Sequence, residues 1–446
     1  MYNKAFQNSN KIVKSIIDAL LISVLSYATL FENIIFRDIF VLLLGLLCWG
    51  ILIVRNYKEG FLFLITRMLV LSLPLSFVNV YGGSYEDLPL SWFNIFVGLL
   101  ILVALINIFA SRRFIIDHIV LSSSFMIIIS LIPLITSSML TDALKQYLNI
   151  ILSFLIIIVG VNIKNKINNT QQLRLALDYI TAVKIAAVGI FIQYISKNLF
   201  GVILGNFELS SGNRNSYSFL FTDFSFFSLF LSSGALMVFF VERTKIKSDK
   251  YWIFNMCFLL LASIISSART GIVSFIVIFC LYSFFKFFHM VRNGSKHIFG
   301  IVFFNILVII SSYFLIVRVR SNEVLYDSGR NLLNEIAWRI FLDNPMYGIG
   351  FGINNYSKFG GILPHNLFFQ FISQGGILYL VPLFLFLCSI LVTCFKKYNE
   401  MFMVLLGVLF GALFIPDIFN SKFLPILFLM ISLRQEPFIN NKIEIK

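Results

Sequence analysis

Apolar runs close to the length of a membrane-crossing helix, separated by short polar turns, set the pattern of this chain. About 20 consecutive apolar residues cross roughly 30 Å of hydrocarbon, where only helices and closed barrels satisfy their own backbone polar groups. The runs are continuous rather than alternating, so they predict helices and not a barrel. They place spans at 12–30, 38–54, 60–80, 91–110, 117–136, 147–163, 175–196, 217–241, 251–267, 270–288, 297–317, 365–395, 400–415 and 418–433. The first run is long and lacks a small-residue cleavage site, so it reads as a retained helix rather than a leader. The expectation is an all-α polytopic membrane helical bundle of about 12–14 transmembrane helices. It divides into N-terminal helices over 1–317, one long polar segment over 318–364, and C-terminal helices with a tail over 365–446.

The polar positions orient the bundle. Lys and Arg gather at Arg55 to Lys58, Arg112 with Arg113, Lys164 to Arg174, Arg243 to Lys250, Arg292 to Lys296, and Lys396 with Lys397. This threading puts all of them on one side, with both termini. Basic short loops mark the cytoplasmic side, so the segment 318–364 is expected outside.

Composition agrees: 59% of residues are hydrophobic and 13% charged, with a mean hydropathy of +0.91. The net charge of +14 is a topology signal, since basic loops beside anionic lipid headgroups are favoured, and it calls for no nucleic acid. The five cysteines lie in or at the ends of apolar runs without metal-ligand spacing. No metal and no cofactor is expected.

Within the long segment, Leu332, Leu333, Ile336, Ala337, Ile340 and Phe341 recur at helical spacing. Ser328 is placed to cap this amphipathic helix, and Asn344 with Pro345 to stop it. Its apolar face either packs on the bundle or lies in the lipid interface. Glu335 and Arg339 stand at i,i+4, a spacing suited to a surface ion pair. The following Gly348-Ile349-Gly350-Phe351-Gly352 lacks the strand and helix of a dinucleotide fingerprint. Tight turns, or close backbone approach, explain it more simply.

His365 stands where this polar segment meets the next apolar run, either capping that helix or exchanging a proton at the water boundary. Arg269, in Ser266-Ser267-Ala268-Arg269-Thr270-Gly271, has almost no loop to hold it. An arginine so near hydrocarbon snorkels, pairs, or binds an anion. Arg214 follows Ser210-Ser211-Gly212-Asn213, as a solvated loop residue or as a third external cation. Several guanidinium groups on one face suit a phosphate or diphosphate. No Asp-x-Asp pair occurs, so arginine rather than metal would hold such a group.

Ser328-Gly329-Arg330, Trp338, Asn344-Pro345, Gly348 to Gly352, His365-Asn366 and Gln374-Gly375-Gly376 occur in an order that resembles the bacterial O-antigen polymerase and O-antigen ligase superfamily. The Ser-Ala-Arg-Thr-Gly turn at 267–271 is similar to that family's arginine turn. The resemblance covers roughly 215 to 380 by motif and the whole chain by hydropathy. It implies a C-type (GT-C-like) membrane glycosyltransferase working on undecaprenyl-diphosphate-linked glycans outside a bacterial plasma membrane. Arg269 and Arg214 would hold the diphosphate, with Arg330 assisting or positioning the loop. His365 would activate the acceptor hydroxyl, and Asn366 and Arg339 would support the site. The loop around Arg214 departs from the Gly-rich and Pro-Asn forms of the family.

The expected partners are a lipid-linked donor and acceptor, membrane lipids and a chain-length regulator. The expected activity is repeat-unit polymerisation of O-antigen or capsule. A ligase moving finished polysaccharide to a lipid core or protein stays open, as does a precursor transporter or flippase, whose ligand groups would instead lie near midplane.

Overall fold

A computed structural model describes residues 2–31, 38–81, 90–210, 214–243, 251–292, 306, 310, 329–359, 361–397 and 399–434. Fifteen helices run in the order α1 (Tyr2–Leu30), α2 (Asp38–Asn56), α3 (Phe61–Leu71), α4 (Trp92–Ser111), α5 (His118–Ile129), α6 (Leu131–Ile135), α7 (Leu140–Ile163) and α8 (Asn169–Phe200). After a hairpin of β1 (Phe207–Ser210) and β2 (Arg214–Tyr217) come α9 (Phe224–Met237), α10 (Tyr251–Ile265), α11 (Thr270–Arg292), α12 (Arg330–Asp343), α13 (Leu367–Lys397), α14 (Asn399–Ala412) and α15 (Phe423–Ser432). Eight helices among the described residues are long and apolar enough to cross a membrane, so the chain is an all-α polytopic helical protein with one small hairpin.

Helix starts follow local chemistry. Ser91, Asp117, Asn168 and Asp223 each turn a side-chain oxygen onto a free amide of the first turn, and Asn168 forms a full capping box with Gln171. Four expected spans come out short, as α3, α10, α14 and α15, of 10 to 15 residues. In the first of them Pro74 enters a 3-10 turn, Leu73–Leu75, and the chain then continues through further turns, with Val80 N donating to Leu90 O at 3.0 Å. The expected span 297–317 lies outside the described residues apart from helical Ile306 and Ile310.

The centre of the bundle is α9, which continues into a π-helix at Val238–Glu242 and is almost wholly buried among α8, α10, α11 and α14. Its Ser228, Ser232, Ser233, Gly234 and Ala235 are all buried, and side chains this small let neighbouring helices approach closely.

Hydrogen bonds sort the loops to two ends. One end joins Gln171 to Glu59, Ile115 to Asn162, Lys166 to Asn107 and Gln172 to Leu433. The described basic loops meet there. Just inside it lies a cluster the hydropathy pattern hides: Arg67 is fully buried and reaches Asp178 at 2.7 Å, Asp18 at 3.1 Å and Glu59 at 3.4 Å. Arg55 and Arg174 pair with the same Asp18, so three guanidinium groups face three carboxylates and the buried charges cancel. The opposite end carries the hairpin, the segments 344–359 and 361–363, and the turns that hold the candidate residues.

Candidate functional site

The N-terminal ends of α9, α12 and α13 converge at that opposite end. Asp223 opens α9 by accepting from Ser225 N at 2.7 Å and Phe226 N at 2.8 Å. Burial pushes its carboxyl up, the two amides oppose this, nearby Glu208 of β1 adds to it, and Arg330 lowers it. Arg330 is the first residue of α12 and half-buried. Its charge also reaches His365, whose imidazole is held at about 4, mainly by burial and then by the Arg330 guanidinium. His365 is therefore neutral at pH 7. Its Nδ1 is buried with no hydrogen-bond partner among the described residues.

The residue beside it does the capping. Asn366 Oδ1 accepts from Phe368 N at 2.9 Å and Phe369 N at 3.3 Å, starting α13. That leaves the ring of His365 uncommitted to the helix start.

The turn carrying Arg269 is fixed on α9 about one and a half turns beyond Asp223. Ser228 Oγ contacts Ser263 Oγ at 2.8 Å, lies 3.2 Å from Ala268 O and accepts from Gly271 N at 3.2 Å. Ser267 adopts φ +70, a left-handed bend that tightens the turn before half-buried Arg269. Arg214 opens β2 opposite Ser210, and its side chain lies outside the described residues. Arg339 is exposed nine residues along α12 from Arg330, about 180° around the helix, so it is not brought to His365. No ion pair joins Glu335 to Arg339 among the described residues. The site thus assembles Arg330 and His365, places the Arg269 turn on the same helix as Asp223, and leaves Arg339 apart.

The start of α12 differs from expectation. Its N-cap is Gly329 at φ +79, and Ser328 lies outside the described residues. Asn344 does close the helix, donating to Ile340 O and Phe341 O. Of the inner face, Ala337 is buried and Ile340, with Ile336 beside it, packs against Tyr356 and Leu363, so it rests on protein, while Leu332 and Trp338 face outward.

The glycine-rich segment docks on backbone rather than on a nucleotide. α13 breaks at Gly376 (φ 60, ψ -159), which frees the carbonyls of Ser373 and Gln374 and the amides of Ile377 and Leu378. Residues 345–350 fill all four vacancies. Ile349 N donates to Ser373 O and Gly350 N to Gln374 O, both at 2.9 Å. Ile377 N donates to Pro345 O at 2.9 Å and Leu378 N to Met346 O at 3.3 Å. A Cβ at Gly348 would stand 2.4 Å from Ser373 O, so side chains are excluded where the two backbones meet.

A second pair of charges went unread in the sequence. Asp417 and Lys422 flank the turn Ile418–Ser421 at φ 44 and 61. Asp417 N donates to Gln370 Oε1 at 2.7 Å, one helical turn into α13 from Asn366. Buried Lys422 donates to Asn149 Oδ1 at 2.6 Å. Burial raises the Asp417 carboxyl to about 6, with Lys422 opposing, and Asp417 Oδ1 has no hydrogen-bond partner among the described residues. Left-handed backbone at a charged residue is strain that local sequence does not announce.

No group of three or more metal-ligating side chains occurs among the described residues. No protein-family model matches the chain, and no curated protein is similar to it in sequence.

Proposed function

We propose that this chain is a membrane glycosyltransferase of C-type architecture that polymerises lipid-diphosphate-linked repeat units at the outer face of a bacterial plasma membrane. One observation carries the reading: a cation, Arg330, and a neutral, partly buried imidazole, His365, come from two different helix starts and meet at the end of the bundle opposite the basic loops. A diphosphate needs fixed positive charge as it leaves, and an acceptor hydroxyl needs a neutral base as it attacks. In this mechanism Arg330 and Arg269 hold the diphosphate, and the acceptor oxygen bonds to the anomeric carbon as the bond from that carbon to phosphate breaks. His365 receives the hydroxyl proton. Asp417, whose carboxyl burial raises to about 6, lies beside Gln370.

Chromosomal His365→Ala and Arg269→Ala variants are expected to stop glycan chain extension while the protein still inserts in the membrane. Normal-length polymer from both variants would overturn the assignment.

A further inference from the structure

The outward stripe of α2 ends at a half-buried arginine. Leu46, Leu47, Gly50, Ile51 and Val54 line an open apolar groove of about 480 Å³ that runs to Arg55. That volume lies within the range of ligand sites, roughly 300–1,000 Å³. Arg55 Nη2 is committed to Asp18 at 3.0 Å and to Lys14 O, while Nε and Nη1 are buried with no partner among the described residues. The next residues, Tyr57 and Lys58, are exposed, with the Lys58 ammonium 5.7 Å from the Tyr57 ring. The carboxylates nearby, Asp18, Glu59 and Asp178, are already matched by Arg55, Arg67 and Arg174. Lys14 and Lys58 therefore leave this end of the groove net positive.

We infer that the groove binds one anionic glycerophospholipid, its acyl chain along Leu46 to Val54 and its phosphate at Arg55 and Lys58. Charge complementarity selects this occupant over a neutral lipid, because exposed Lys58 and nearby Lys14 leave this helix end positive, and basic pockets at helix ends hold anionic headgroups. The acyl groove selects it over free phosphate.

The test is native mass spectrometry of the whole protein from nanodiscs containing equal phosphatidylglycerol and phosphatidylcholine. Wild type is expected to retain phosphatidylglycerol about tenfold over phosphatidylcholine, the scale of one charge-assisted contact. Arg55→Gln should lose that preference. Gly50→Phe fills the groove, and open space around Gly50 lets it do so without touching the ion cluster. It should lower phosphatidylglycerol retention about tenfold at unchanged thermal stability. Equal retention of the two lipids by wild type, undiminished retention by Gly50→Phe, or displacement by millimolar inorganic phosphate alone would overturn the inference.

Discussion

At the residue scale, His365 is a base restrained by its neighbour. Burial first, and then Arg330, favour the neutral ring. Between its ordinary value of 6.5 and about 4 the unfolded chain binds this proton and the folded chain does not. Stability from this group therefore falls as pH drops through that window and falls no further below it. An anion settling on Arg330 cancels the cation and raises the basicity of the ring. NMR of ring-labelled protein should show the His365 pKa rise on adding inorganic pyrophosphate, and rise in Arg330→Gln without it. An unmoved value in both would break the coupling. Arginine and histidine were legible in the sequence because each violates the hydropathy around it. Arg67 was not, since its carboxylate partner Asp178 lies 111 residues away and α3 and α8 meet only in the fold. Asp417 and Lys422 read as ordinary loop residues because their burial depends on α7 and α13 closing over them.

At the element scale, the span 365–395 looked like one uninterrupted helix, and the segment before it looked like a separate loop. They form a single unit: α13 gives up two of its own hydrogen bonds, and the inserted segment supplies four in return. The Gly-Gly pair inside an apolar run and the glycines at 348–352 were the sequence signs of this, and periodicity carries no information about which strand of backbone will enter a break. Gly376→Ala tests the insertion. Its Cβ would lie 2.4 Å from Met346 O, and φ 60 strains a non-glycine residue by about 1–3 kcal/mol. The expected result is expulsion of 345–350, read as loss of amide-exchange protection at Ile349, Gly350, Ile377 and Leu378. Protection in α9 should remain. Unchanged protection at those four amides would show that the break tolerates a side chain.

At the scale of the whole molecule, the two ends differ in kind. One gathers Arg55, Lys58, Arg112, Arg113, Lys164, Lys166 and Arg243 around short turns and hides a neutral ion cluster beneath them. The other gathers the hairpin, the docked segment and cations set singly among acids such as Asp142, Glu208, Asp223 and Asp417. This division was readable from loop charge alone, because each span reverses the chain and the basic turns recur at every second reversal. The number of full-length spans was not, because α3 and α14 end ahead of Pro74 and Pro416 and α15 starts only after Lys422, where tertiary contacts rather than hydropathy fix the boundary. The basic end should face the cytoplasm. With the five native cysteines changed to alanine, Lys358→Cys should react with an impermeant maleimide on intact cells. Lys58→Cys and Arg113→Cys should react only after permeabilisation. All three positions are exposed, so lack of access to the reagent reports the side of the membrane rather than burial. Labelling of Lys58→Cys or Arg113→Cys on intact cells, with Lys358→Cys protected, would invert the molecule and remove the His365 end from the outer face.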